Sequence, residues 1–145
     1  MNENKIRVQR LYEEIDKGNL DIVDECFSTD YVDHNLAIPG LAPGLKGAKQ
    51  AFEIFHAAFP DTVHVIEDLI SEGDKVVARI RASGTHTGEL MGRPATGRLV
   101  KLTGIAIYRF DNGRIVERWA EEAGGGVLPQ LALIPTSDVN TFESC

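Results

Sequence analysis

The residues best suited to proton chemistry lie near the end of the chain, at Glu117, Trp119, Glu121 and Glu122. In an extended segment over 114–122, side chains alternate between two faces. Ile115, Glu117, Trp119, Glu121 and Ala123 then share one face, and Val116, Arg118, Ala120 and Glu122 share the other. A face that mixes Trp with carboxylates suits a solid core poorly, because a buried unpaired carboxylate is costly. It suits a partly wet pocket, where apolar walls raise a carboxyl pKa toward working pH and make it a usable base. The bland alternative for Glu117 is an ion pair with an arginine across the sheet. A second polar cluster, Asp33-His34-Asn35, stands at the entry to an apolar loop. In extended chain Asp33 and Asn35 share a side and His34 takes the other; either side lines a cavity or is simply solvated. His86 sits in Gly84-Thr85-His86-Thr87-Gly88, where the flanking glycines fit a close approach or a plain strand end. His56 and His64 read as surface residues.

Other chemistries lack their residues. The chain has no phosphate-loop spacing, no Gly-x-Gly-x-x-Gly after a strand, no Gly-x-Ser-x-Gly elbow and no His-Glu-x-x-His. Gly124-Gly125-Gly126 reads as a flexible strand exit. The four histidines, His34, His56, His64 and His86, fall in four different elements, so no metal site is expected. With 15 basic against 22 acidic residues, the net charge of −7 opposes binding to nucleic acid or to an anionic membrane surface. Cys26 and Cys145 make no disulfide framework; Cys26 reads as a small buried side chain. The first residues lack a signal-peptide pattern, and no apolar run reaches bilayer length, so a cytoplasmic protein is expected.

The elements that must position these residues change character midway. Val8, Leu11, Tyr12 and Ile15 form a helical apolar stripe that Gly18 ends, and Asn19 is placed to cap a second helix over 20–27. Ala48, Ala51, Phe52, Phe55 and Phe59 signal a third helix stopped by Pro60. Between them, 31–35 is extended and 36–45 is an apolar Pro/Gly loop that covers a core edge or rims a pocket. The second half has period two: strands over 63–71, 75–86, 99–110 and 114–122, with Asn112-Gly113 as a tight hairpin. A short helical turn over 127–133 follows, then a polar tail over 134–145. Helices grouped before a meander of long strands imply one α+β domain over 1–133. A twisted sheet of that kind curls, and helices across its concave side can enclose a cavity.

In these stretches the chain resembles the SnoaL-like polyketide cyclase (ester cyclase) family, within the nuclear transport factor 2-like superfamily. The likeness is carried in order by Tyr31-Val-Asp-His-Asn35, Ala58-Phe-Pro-Asp61, Asp74-Lys-Val-Val-Ala-Arg79, Gly84-Thr-His-Thr-Gly88, Gly92-Arg-Pro-Ala-Thr-Gly97, Gly113-Arg-Ile-Val-Glu-Arg-Trp119 and Gln130-Leu131. It implies a cone-shaped fold, three N-terminal helices on a curved antiparallel sheet around an apolar pocket, commonly as a homodimer. It also implies intramolecular aldol ring closure of a polyketide ester without metal or organic cofactor. That chemistry needs one tuned acid/base group and a shape-selective pocket.

One position departs from the family pattern. Family cyclases usually carry Asp four residues after the strand Trp, and this chain has Ala123 there. The expectation is therefore a cyclase relative acting on a small apolar carbonyl ligand, with Glu121 or His86 as base. Asp33, His34, Asn35, Glu117, Trp119 and Glu122 are expected at the pocket. Two rivals stand beside it: a non-catalytic ligand-binding or dimerisation domain, which Ala123 favours, and another pocket enzyme such as a hydrolase or isomerase.

Overall fold

Helix α1 (Glu3–Asp16) begins where Asn2 Oδ1 accepts the backbone N–H groups of Asn4 and Lys5, at 2.8 and 3.3 Å. It ends at Gly18, φ +85°, with the N–H of Gly18 on Ile15 O and that of Asn19 on Glu14 O. This paired closure favours glycine at the left-handed position. The structure, a computed structural model, describes residues 2–36, 38 and 40–131. The polar tail expected over 134–145, Cys145 included, lies outside the described residues.

Helix α2 is Ile22–Cys26, shorter than the expected 20–27. The Asn19 side chain donates to Glu14 Oε2 instead of capping α2, and Phe27 already opens strand β1 (Phe27–Asp33). Helix α3 (Gly44–Ala58) follows the apolar loop. Within that loop Ile38 is 3% exposed, so this part covers the core edge. Strands β2 (Val63–Glu72), β3 (Lys75–Thr85), β4 (Leu99–Asp111) and β5 (Arg114–Glu122) form the meander. Asn112 and Gly113, with φ of 51° and 76°, make the β4–β5 turn. A 3₁₀ turn at Ala123–Gly125 and a short helix α4 (Val127–Gln130) close the described chain.

The sheet order is β1-β5-β4-β3-β2. Neighbours are antiparallel except β1, which runs parallel to β5, so the sheet is mixed where a wholly antiparallel one was expected. The stripe of α1 packs onto Val76, Ala78, Ala106, Tyr108, Phe110 and Ile115 on the concave face. A second cluster, Ala58, Phe59, Leu90, Val100 and Leu131, joins the end of α3 to the β3–β4 connection and α4. No described helix is long and apolar enough to cross a membrane.

Two bulges decide which side chains face inward. Phe110 pairs with Ile115 and Arg109 with Glu117, so Val116 is an extra residue in β5. A similar slip between Ile66 and Asp68 leaves Glu67 extra in β2. The β5 bulge turns Ile115, 0% exposed, to the same concave side as Arg118, Ala120 and Glu122. Strict alternation had placed Ile115 with Glu117.

Candidate functional site

On the outer face of the sheet Glu117 is fully engaged. It meets His34 Nε2 at 2.8 Å and accepts from Arg109 Nε at 2.5 Å. The hydrogen bond from His34, then that from Arg109, holds its carboxyl below the usual glutamate range. The His34 ring lies flat on Trp119, with centroids 4.8 Å apart and planes within 7°. Glu121 is exposed on this same face. His34, Glu117, Trp119 and Glu121 therefore stand outside the concave interior, which corrects their expected place in a pocket. The physical reason is register: inner β4 residues Tyr108 and Ala106 pair with Arg118 and Ala120, leaving Glu117, Trp119 and Glu121 on the reverse side.

His86, the other residue expected to act as base, is 1% exposed and packs against Phe59 at 5.4 Å. Its Nδ1 accepts the Thr96 backbone N–H (3.2 Å) and lies 2.9 Å from Thr96 Oγ1. An acceptor Nδ1 puts the ring proton on Nε2 in the neutral imidazole, the wrong form for accepting a proton there. The close approach suggested by the flanking glycines is real but comes from backbone. A Cβ on Gly88 would stand 2.0 Å from Ala57 O, and the N–H groups of Thr87 and Gly88 bond to Ala58 O. His86 thus anchors the β3–β4 connection to the end of α3, away from the concave face.

The concave face holds a different constellation. Arg118 Nη1 donates to both Asp33 oxygens, at 3.1 and 3.2 Å, with side chains only 18% and 13% exposed. Asn35 completes this corner: its N–H bonds to Asp33 Oδ1, its Oδ1 accepts from Ala120 N, and its carbonyl accepts from Arg118. Asn35 lies past the end of β1, and its amide oxygen is occupied by the Ala120 N–H. The hydroxyls of Tyr12 on α1 and Tyr108 on β4 meet at 2.5 Å. Burial above all, then Tyr108, pushes the Tyr12 hydroxyl well above the ordinary tyrosine range. Burial, then the Asp33 charge, does the same to Tyr31. Burial by itself would lower the Arg118 pKa, but Tyr108, Asp33, Tyr31 and Tyr12 around it raise it. Arg118 stays a cation under all ordinary conditions.

Glu122 faces this array. Burial raises its carboxyl pKa, with Asp33 adding to the rise and Arg118 and His64 drawing it partly back. Two glycines make room for it. A Cβ on Gly104, its partner across the sheet, would stand 3.3 Å from Glu122 Cγ, and one on Gly126 would stand 2.5 Å from Glu122 Oε2. The glycine run is thus more than a strand exit: Gly126, at φ +86°, seats the carboxylate. Ala123 opens the 3₁₀ turn next to it and is exposed.

Sequence reasoning missed Tyr12, Tyr108, Asp16 and His64. Tyr12 lay in the helical stripe and read as core filling, which its 7% exposure supports; only its hydroxyl partner marks it as polar machinery. His64, expected at the surface, lies half-buried with its Nδ1 2.6 Å from Asp16 Oδ1. Its backbone N–H donates to the other Asp16 oxygen at 2.7 Å. Tyr12 and Asp16 are one helical turn apart, and that spacing is the signal that places both over β2. A cleft of about 210 Å³ runs between α1 and β2, lined by Gln9, Tyr12, Glu13, Asp16, His64 and Ile66. Small-molecule sites usually enclose roughly 300–1,000 Å³, so this cleft fits a compact ligand or one end of a larger one.

Comparisons with known proteins agree with this architecture. The model of the family described as SnoaL-like polyketide cyclase matches residues 6–131. Aklanonic acid methyl ester cyclase DnrD of Streptomyces peucetius is 30% identical over 128 residues, covering 81% of this chain and 83% of that protein. Nogalonic acid methyl ester cyclase of Streptomyces nogalater is 30% identical over 115 residues, covering 79% and 86%. Among solved structures, wild-type IdmH from Streptomyces antibioticus superposes with a TM-score of 0.74 at 33% identity, over 90% of this chain and 99% of that one.

Proposed function

This chain belongs to the SnoaL-like polyketide cyclase family, and from that membership we propose that it closes a ring in a small polyketide ester by a cofactor-free intramolecular aldol reaction. The observation that carries the reading is Glu122: a desolvated carboxyl on the concave face, seated between two glycines beside Arg118 and near the paired tyrosine hydroxyls. Ionised Glu122 takes the acidic proton from a carbon flanked by two carbonyls, and the electron pair passes into the enolate. That carbon attacks a ketone carbonyl in the same molecule, forming one C–C bond. The new alkoxide takes a proton from the Tyr12–Tyr108 pair, and the proton held on Glu122 restores the pair. Substrate and product have the same composition, so no co-reactant is needed. Arg118 holds its charge nearby throughout and favours the enolate. The base lies one residue before Ala123, which is how a proton acceptor persists without the aspartate usual in the family.

The test is incubation with the methyl esters of aklanonic and nogalonic acids, the compounds named for the two relatives, and with smaller β-keto esters. A product of unchanged mass and new retention is expected, formed about 10²–10⁴-fold more slowly by Glu122→Gln. Turnover at the wild-type rate in that variant would remove Glu122 from the mechanism.

Ala123 favours one second reading, a domain that binds a small carbonyl compound without converting it. Recovery of such a ligand unchanged from the protein, with no isomer formed from any ester, is its signature.

A further inference from the structure

The cleft between α1 and β2 carries a titratable pair that the ring-closure scheme does not use. Asp16 clamps one residue twice, accepting both the backbone N–H and the ring Nδ1 of His64, at 2.7 and 2.6 Å. An ionised carboxylate can only accept, so the ring proton belongs on Nδ1 and the Nε2 lone pair is free in the neutral imidazole. Among the described residues Nε2 has no hydrogen-bond partner. His64 lines the cleft, its side chain is 18% exposed, and its ring rests on Tyr12 with centroids 5.0 Å apart. An imidazole fixed in tautomer by a carboxylate, with its second nitrogen open to a cleft, is the arrangement of an oriented general base.

We infer that His64, positioned by Asp16, is a second proton-transfer group of this protein and that the α1–β2 cleft binds a neutral, compact carbon acid. The ligand class follows from the lining. Glu13 and Asp16 add negative charge that opposes a carboxylate or phosphate ligand, while Ile66 and the edge of Tyr12 supply apolar wall. In the step, the C–H bond beside a carbonyl or other electron-withdrawing group breaks and its proton moves to Nε2. The electron pair enters that group, and Asp16 stabilises the imidazolium until the proton is returned. His64 is the catalytic residue of this step and Asp16 its positioning residue. The inference goes beyond the ring-closure reading, because it concerns a different base, His64, which lines the cleft between α1 and β2.

The test uses 5-nitrobenzisoxazole, a neutral planar compound that needs only one base. Loss of its C3 proton breaks the N–O bond and yields a nitrile and a coloured phenolate. The wild-type protein is expected to open it faster than free imidazole at equal concentration. His64→Gln should lose at least about a hundred-fold of that rate, the lower end of general-base catalysis. Asp16→Asn, which keeps a backbone contact but changes the ring partner, should also slow it. Imidazole ¹⁵N shifts supply a readout that needs no turnover: His64 in the wild type should carry its proton on Nδ1, and Asp16→Asn should move it toward Nε2. A wild-type rate no better than free imidazole, an undiminished rate in folded His64→Gln, or a wild-type proton on Nε2 would each overturn the inference. Failure of the ester assay with an intact benzisoxazole response would sink the ring-closure reading alone, and the reverse pattern would sink this one alone.

Discussion

Glu122 and Glu121 are neighbours of the same type, and their environments separate their chemistry. Glu121 is exposed beside paired side chains, whereas Glu122 is turned into the concave face and desolvated. A folded-state pKa above the unfolded value makes ionisation unfavourable to folding. The favourable contribution is present below the ordinary glutamate pKa and disappears as pH rises through the raised value. Glu122→Gln should therefore unfold at a higher temperature than the wild type near pH 8, the gap closing toward pH 4 in thermal melts. A gap that persists or grows in acid would contradict a raised Glu122. Gly126→Ala is the complementary change. Its Cβ would intrude on Glu122 Oε2, and φ +86° with ψ −146° is a region L-residues rarely adopt. The expected cost is about 1–3 kcal/mol in denaturant unfolding, with displacement of the carboxylate. An unchanged midpoint would mean the turn relaxes freely.

At the scale of elements, the helical stripe of α1, its Gly18 stop, the third helix, the long β3 with inward Val76, Ala78 and Ala82, and the Asn112-Gly113 hairpin were all legible in the sequence. Each is a local signal: period 3.6, period two, or a residue that alone tolerates a positive φ. The bulge at Val116 was not legible, since neither Val116 nor its neighbours differ in kind from ordinary strand residues. That one extra residue moved Ile115 to the face of Arg118 and left Glu117, Trp119 and Glu121 outside. The parallel seating of β1 against β5 escaped notice for a related reason: pairing between segments some 85 residues apart leaves no local mark. The bland reading of Glu117, an ion pair with an arginine across the sheet, is the one the geometry bears out through Arg109. Because Ile115 sits at the bulge with no exposure, Ile115→Ala should destabilise by about 2–5 kcal/mol in urea unfolding. A loss below 1 kcal/mol would argue that the bulge holds no core contact.

Across the whole molecule, family and fold class were readable because motifs spread from Tyr31 to Leu131 keep their order, and each reflects a turn, a hairpin or a packed strand. The site was less readable because it is assembled from distant parts: Tyr12 and Asp16 on α1, His64 on β2, Tyr108 on β4, Arg118 and Glu122 on β5. Tyr12 meets Tyr108, and Asp16 meets His64, only after α1 lies across the sheet. Tyr12 and Tyr108 were apolar filling until their hydroxyls were seen to touch. The α1–β2 cleft, at about 210 Å³, favours compact ligands over fused ring systems.

On the concave face, burial keeps the Glu122 carboxyl hungry for a proton. The most direct measurement is a ¹³C titration of the Glu122 side-chain carboxyl by NMR, assigned by its disappearance in Glu122→Gln. The expected midpoint lies above the ordinary glutamate value of 4.5. A midpoint at or below that value would mean the group is solvated or fully paired, and the acid/base account of this face would be wrong.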